Sequence, residues 1–360
     1  MTEKLIYKSD CKYFLGHIPC KPNKKYGVTC ADCEYYDRKS GKILIIKLGA
    51  IGDVIRTTPL LHRLWQNRRV KEIWWLTEFP DVVPKKVDKV LKMDFKSVLI
   101  LQNTEFDWVI NLDKDYEACA LTASLNAKQK DGYTLVDGKP APINKRAEHK
   151  YYTGIFDIEN QKNTKSYPEE IFEICGYSYR KEEYILDIAK YRWDLENGEK
   201  KIIGLNTGCG DRWTSRLIPD RTWVELIKKL QKNNYYPILL GGPQEHYKNE
   251  YLMDATKALY LGHFALDKFI SLINQCDLVV SVVTMGAHLA IGLKKPLVLV
   301  NNIFNPKEFE LFRRGEILEP TKPCKCFFSS VCTNPDYKCI DYVTADEIFD
   351  AINRNIENKR

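Results

Sequence analysis

The carboxylate with the clearest chemical setting in this chain is Asp53. It follows an apolar run at 43–46, then Lys47 and a glycine-bearing turn, Leu48-Gly49-Ala50-Ile51-Gly52, and it stands where a helix is expected to begin. Backbone amides and the positive end of a helix stabilise a carboxylate there as its anion, the state a general base needs. Lys47 flanks the same turn and would help to hold Asp53 ionised. The position equally suits a plain N-cap beside a tight glycine turn. Cysteines form the second chemistry-bearing set. Eight of the 12 lie in two terminal clusters, Cys11-x8-Cys20-x9-Cys30-x2-Cys33 and Cys324-x-Cys326-x5-Cys332-x6-Cys339. Four thiolates in a short, polar, turn-rich segment can surround a tetrahedral ion, and they favour zinc or iron. A structural metal site is therefore expected at the C-terminal four cysteines, and a second at the N-terminal four. Neither segment has the apolar run that would bury free thiols.

These groups need elements to position them. Residues 43–46, 72–77 (EIWWLT), 97–101 (SVLIL) and 107–112 (DWVINL) read as strands separated by helical sequence, which implies a parallel, doubly wound sheet. The helix after Asp53 carries Ile55, Leu60, Leu61 and Leu64 on its apolar face. Asp113 follows the fourth strand at the same sheet edge, as a second functional carboxylate or as a turn residue. Residues 132–191 show weak periodicity and read as a long excursion with one helix at 168–175. A polar, turn-rich stretch at 191–199 marks a hinge. The strand–turn–helix pattern then restarts, with strands at 201–206, 236–240, 277–282 and 296–302, the last closing the sheet. Amphipathic helices are expected at 223–230 and 266–276, a loop with a short helix at 303–315, and a final helix at 344–356.

The ordered motifs resemble family-nine glycosyltransferases, the ADP-heptose heptosyltransferases. Strand, Lys, small residues, Gly-Asp and a Thr-Thr-Pro helix stand at 42–64. Strand, glycine loop, basic residue and a Trp/Pro-containing lead into a helix stand at 201–230. Gly241-Gly242-Pro243-Gln244-Glu245 and Val283-Thr284-Met285-Gly286-Ala287-His288-Leu289-Ala290 follow. The resemblance runs from residue 42 to about 320 and implies an α/β, GT-B-like fold, two Rossmann-type domains facing across a cleft. On that plan an acceptor domain spans 42–192 and a donor domain 200–319. Cysteine-rich segments occupy 1–41 and 320–360, the latter with a helix returning to the first domain. The family's base corresponds to Asp53, supported by Lys47, Gly52 and Asp113. Arg216, with Arg212 as the alternative, corresponds to the basic residue that grips the donor's phosphates, a task suited to a planar guanidinium. Thr207, Gly208, Gly241 and Gly242 would lie near the nucleotide, and Thr284, Met285, Gly286 and His288 would shape the donor site. Val283 stands where the family has Asp, removing an acceptor for sugar hydroxyls. The cysteine clusters resemble those of the autotransporter heptosyltransferases, whose C-terminal cysteine finger holds iron. The implied reaction is inverting transfer of a sugar, heptose foremost, from a nucleotide diphosphate donor such as ADP-heptose to a hydroxyl on a surface glycan or protein, with no divalent metal in the chemistry.

Composition agrees with this class. A chain of 360 residues accommodates two domains, and 44% hydrophobic with 29% charged residues is ordinary for a globular protein. No apolar run reaches the ~18 residues of a spanning helix, and MTEKLIYKSD lacks a signal-peptide core. The expectation is a cytoplasmic enzyme with no transmembrane segment, and disulfides are disfavoured in that compartment. Peripheral membrane contact and a homo-oligomer are both compatible with this picture; no nucleic-acid partner is expected. A net charge of +7 suits an anionic substrate or a membrane surface without singling out either. The rival from another class is a non-catalytic nucleotide-sugar binder whose decayed site is marked by Val283. A dinucleotide-dependent oxidoreductase fares worse, because neither glycine turn reads Gly-x-Gly-x-x-Gly with an acid about 20 residues on.

Overall fold

The computed structural model describes residues 5–38, 41–67, 72–188 and 191–357. A short helix, α1 (Lys21–Tyr26), lies in the cysteine-bearing arm ahead of the first sheet. That sheet is built from β1 (Lys42–Ile46), β2 (Glu72–Thr77), β3 (Lys89–Lys92), β4 (Phe106–Asn111), β5 (Ala127–Val136) and β6 (Lys139–Pro142). The strand order is β3-β2-β1-β4-β5-β6, parallel except for the β5–β6 hairpin. Its helices are α2 (Ile51–Thr57), α3 (Leu60–Gln66), α4 (Phe95–Gln102), α5 (Tyr116–Ser124), α6 (Lys145–Thr153), α7 (Asp157–Lys162) and α8 (Tyr167–Ile174). Ile43, Leu44, Ile45 and Ile46 are buried without alternation, as an interior parallel strand covered on both faces requires.

The second sheet takes β7 (Lys201–Asn206), β8 (Tyr235–Leu240), β9 (Leu259–Tyr260), β10 (Leu278–Val282), β11 (Leu297–Val300) and β12 (Gly315–Leu318). All are parallel, in the order β12-β11-β10-β7-β8-β9. Between and after them run α9 (Asp220–Lys232), α10 (His246–Thr256), α11 (Leu266–Gln275), α12 (Met285–Gly292) and α13 (Ala345–Glu357). Each sheet is wound outward from its first strand, so the order reverses between β1 and β4 and again between β7 and β10. At such a reversal the loops leaving the strands' carboxyl ends diverge and open a crevice. The turns that carry Asp53 and Asp113 occupy the first crevice, and those that carry Gly208 and Thr284 occupy the second.

Several expectations are corrected. Residues 97–101 belong to helix α4, not a strand: the Asp94 side chain caps it by accepting from Ser97 N (2.7 Å), and Ser97 and Leu101, one turn apart, are the buried positions. The strand at that point is the half-buried, four-residue β3. The helix after Asp53 is two helices, α2 and α3, with Pro59 between them. Residues 132–191 are largely ordered as β5, β6 and α6–α8. β12 closes the second sheet in place of 296–302. The last helix packs on the second sheet instead of returning to the first: α13 lies against α9, β10, β11 and β12, and Ile348, Ala351 and Ile352 are buried there. The hinge stretch is pinned to α11, where Trp193 Nε1 donates to Ser271 Oγ (2.9 Å) and Trp193 N to Gln275 Oε1 (2.8 Å).

Candidate active site

Asp53 sits in the first turn of α2, two residues past Ile51, and not at the N-cap, which is Ala50. Its carboxylate is held by two cations. Arg56 Nη2 donates at 2.9 Å from the next turn of the helix, and Lys47 Nζ lies 3.8 Å away. Burial by itself would push the Asp53 pKa up, but Arg56 first and Lys47 next outweigh it and hold the group at about 2. Lys47 is fixed in turn by Asp113, whose Oδ1 accepts from Lys47 Nζ (2.8 Å) and whose Oδ2 accepts from Leu48 N (2.6 Å). Asp113 is thus spent on the turn and on Lys47. Those bonds are the bonds of a positioning group. Arg56 is shared: its Nη1 lies 3.5 Å from Glu308 Oε2, from the 3-10 turn Pro306–Glu308 that follows β11. Glu308 is itself anchored by Asn160 Nδ2 (3.0 Å).

The two crevices meet because α2 packs directly on α12. Gly52 is required there, since a Cβ on it would come within 2.5 Å of His288 Cδ2. His288 is buried on α12, faces Tyr184, and makes this helix-to-helix contact instead of lining the donor cavity. Burial, reinforced by Arg56, pushes its pKa down to about 3, so the ring is neutral at ordinary pH.

Beside this contact lies a cavity of about 420 Å³ whose walls include Arg216, Gly208, Gly241, Gly242 and the start of α12, Thr284 to Gly286. Thr284 makes no side-chain cap, so the first-turn amides of this eight-residue helix face outward unpaired by it. Arg216 is buried, and no carboxylate pairs with it among the described residues; burial pushes its pKa down. A buried cation beside an open helix N-terminus is a setting for an anion.

Of the residues expected at the donor, Arg212 is exposed and outside the cavity, and Thr207 is buried behind it, donating to Asn249 Oδ1 (2.5 Å). The glycine turns have a structural cause: Glu245 bridges them, accepting from Gly210 N and Gly242 N at 2.9 Å each. A Cβ on Gly208 would fall 2.1 Å from Glu245 Cγ, and one on Gly241 2.6 Å from Glu245 Cβ. The Gly242 amide is thereby already taken. Val283 is buried in the apolar core. Phe264, Leu266 and Phe269, an apolar wall of the cavity, were missed by sequence reasoning, as were Arg56 and Glu308.

Lys114 adds an unpartnered charge. It is partly buried, no carboxylate pairs with it among the described residues, and burial, with Lys150 nearby, pushes its pKa down to about 8. A lysine depressed in the fold penalises the native state fully below that value, and the penalty fades as pH rises towards its unfolded pKa. Lys114→Met should therefore stabilise the protein at pH 7 by about 1–3 kcal/mol. The gain should shrink between roughly pH 8 and 10. Melting curves of both proteins at the two ends of that range check this.

The structure does not show the tetrahedral sites expected at Cys324, Cys326, Cys332 and Cys339 and at Cys11, Cys20, Cys30 and Cys33. Among the described residues no three Cys, His, Asp or Glu side chains converge closely enough to enclose an ion. The C-terminal four instead approach in pairs, Cys326 Sγ with Cys332 Sγ (3.7 Å) and Cys324 with Cys339. The N-terminal four line a common cavity.

The family model described as glycosyltransferase family 9 (heptosyltransferase) matches residues 98–337. No curated protein matches the sequence. Among solved structures, a family 9 glycosyl transferase from Veillonella parvula has 16% identity and a TM-score of 0.68, covering 88% of this chain and 97% of its own. The E. coli heptosyltransferase WaaC with ADP-2-deoxy-2-fluoro heptose has 16% identity and a TM-score of 0.61, covering 87% and 99%. The iron-containing dodecameric glycosyltransferase TibC from enterotoxigenic E. coli has 11% identity and a TM-score of 0.60, covering 89% of this chain and 77% of its own. At these identities the likeness is one of fold, the two-sheet GT-B arrangement.

Proposed function

The chain belongs to glycosyltransferase family 9, the heptosyltransferases, and on that premise we propose that it moves a heptose from a nucleotide diphosphate donor such as ADP-heptose to an acceptor hydroxyl, with inversion. The observation that carries the reading is the meeting of α2 and α12. It brings α2, where the ionised Asp53 stands two residues past the cavity-lining Ile51, up to the open N-terminus of α12, beside the cavity that holds the buried Arg216. Asp53 takes the proton from the acceptor hydroxyl as its oxygen attacks the anomeric carbon on the face opposite the diphosphate. The C–O bond to the diphosphate breaks with its electron pair. Arg216 and the amides at the start of α12 then receive the negative charge that gathers on the leaving group. Phe264 and Phe269 offer a flat apolar wall for the nucleobase. The acceptor is a hydroxyl of a surface glycan or of a protein.

A structural iron or zinc at Cys324, Cys326, Cys332 and Cys339 belongs to the same reading. Two sulfurs 3.7 Å apart match the edge of a tetrahedron with metal–sulfur bonds of about 2.3 Å. The backbone amides of Cys326 and Thr333 donate to Cys324 Sγ and Cys326 Sγ at 3.2 Å each, as ligating thiolates require. That group would tie the C-terminal arm down and takes no part in transfer. The test is a panel of nucleotide sugars including ADP-heptose, read for binding by thermal shift and for release of nucleoside diphosphate in the presence of glycan and peptide acceptors. Release with ADP-heptose and a sugar-bearing product is the expected result. Tight binding with no turnover on any acceptor would leave a nucleotide-sugar binder in its place.

A further inference from the structure

The N-terminal arm is ordered with almost no core of its own. From residue 5 to 38 only Cys11 and Pro22 are buried, whereas Leu5, Ile6, Tyr7, Leu15, Ile18, Tyr26 and Tyr36 are exposed. A segment so short cannot buy its conformational entropy with apolar burial; small units of this kind need a covalent or metal staple. The arm nevertheless holds a defined shape. Cys11 bridges to Arg38, Tyr36 donates to Asp10 Oδ2 (2.8 Å), and Asp32 caps the Thr29 turn from which Cys30 and Cys33 project.

What these turns enclose is a cavity of about 270 Å³ lined by all four cysteines, Cys11, Cys20, Cys30 and Cys33. Its remaining wall is chiefly aromatic and aliphatic, with Tyr13, Phe14 and Ile18 prominent. Among the described residues Lys8 is the one charged residue on it, and no carboxylate or imidazole lines it. The space is far larger than one ion needs; an apolar cavity of about 150 Å³ already takes a benzene ring. It differs in kind from the C-terminal cluster, where two sulfurs are already at the spacing of a single ion's ligands.

We propose that Cys11, Cys20, Cys30 and Cys33 hold an iron–sulfur cluster that fastens the N-terminal arm. Four thiolates are the ligand set of such clusters. Their soft donors, with no carboxylate or imidazole beside them among the described residues, select iron–sulfur or zinc over hard cations. The volume of the cavity they all line favours the polynuclear group over the lone ion. The apolar wall would shield the inner side of the cluster, and Lys8 would offset part of its negative charge. The assignment is independent of the sugar-transfer reading, since the arm precedes β1 and contributes no residue to either crevice as described above.

The decisive measurement is metal and acid-labile sulfide on the full chain, purified and, in parallel, reconstituted with iron and sulfide without oxygen. Inorganic sulfide separates the two clusters of cysteines, because a lone thiolate-bound ion at the C-terminal four carries none. About four iron and four sulfide per chain, with a brown absorbance bleached by dithionite, is the expected result. Cys30→Ser/Cys33→Ser should abolish the sulfide while nucleotide-sugar binding is retained. Wild-type protein that carries metal but no labile sulfide overturns the proposal, whichever metal fills the C-terminal four, as does sulfide that survives in the double variant. So does failure of reconstitution to incorporate sulfide at all. The wild-type analysis decides the matter even where the double variant does not fold.

Discussion

Asp53→Asn should lower the transfer rate by about 10²–10⁴-fold, the worth of a positioned general base, while changing donor affinity little. The amide keeps an oxygen facing Arg56 Nη2, so the 2.9 Å contact and the α2 geometry survive. What is lost is the negative charge that draws the acceptor's proton. The same geometry fixes the pH dependence. A carboxylate whose pKa is depressed to about 2 is ionised at every pH at which the protein would be assayed, and its contribution is lost only as pH falls through that value. The wild-type rate should therefore show no acid limb from this group between about pH 5 and 7, and an inflection in that range belongs elsewhere. Initial rates of nucleoside diphosphate release, with donor affinity measured separately, check both statements. A variant that turns over at near wild-type speed removes Asp53 from the chemistry.

Arg216→Ala should weaken donor binding by roughly 1.5–3 kcal/mol, the range for a hydrogen bond to a charged group, which is about a tenfold to hundredfold rise in Kd. Arg216 has no carboxylate partner among the described residues, so its removal releases no buried counter-charge. Arg212→Ala is the internal comparison. That side chain is exposed and outside the cavity and should change donor affinity by less than about twofold, within the usual range for an exposed surface residue. Calorimetric titration of nucleoside diphosphate into both variants reads the difference. A larger loss in the Arg212 variant would move the phosphate grip to that residue.

What could be read from the sequence was the local part of the design. The run at 43–46, the glycine turn and Asp53 lie within a dozen residues, so composition and spacing suffice to predict strand, turn and helix. The restart at 201–206 repeats the signal. Residues 97–101 misled because a five-residue apolar run carries no period. Only the Asp94 cap and the burial of Ser97 with Leu101 reveal the helical repeat. The glycines of 208 and 241 were legible as turns but not their cause, since Glu245 reaches both only in the folded chain. Arg212 and Arg216 are indistinguishable by type; burial separates them. Arg56 and Glu308 lie far apart in sequence and on different halves, so no spacing rule links them.

The sharing of Arg56 has a consequence for the timing of proton transfer. A guanidinium divided between Asp53 and Glu308 neutralises Asp53 less completely than one it had to itself. Bringing the Pro306–Glu308 turn up to α2 therefore raises the proton affinity of the base, and drawing it away lowers that affinity as Arg56 reverts to a single carboxylate. By thermodynamic reciprocity, a proton arriving on Asp53 favours the juxtaposed arrangement by the same free energy. The hydroxyl's proton thus goes to a carboxylate whose appetite for it is greatest while the Pro306–Glu308 turn lies against α2.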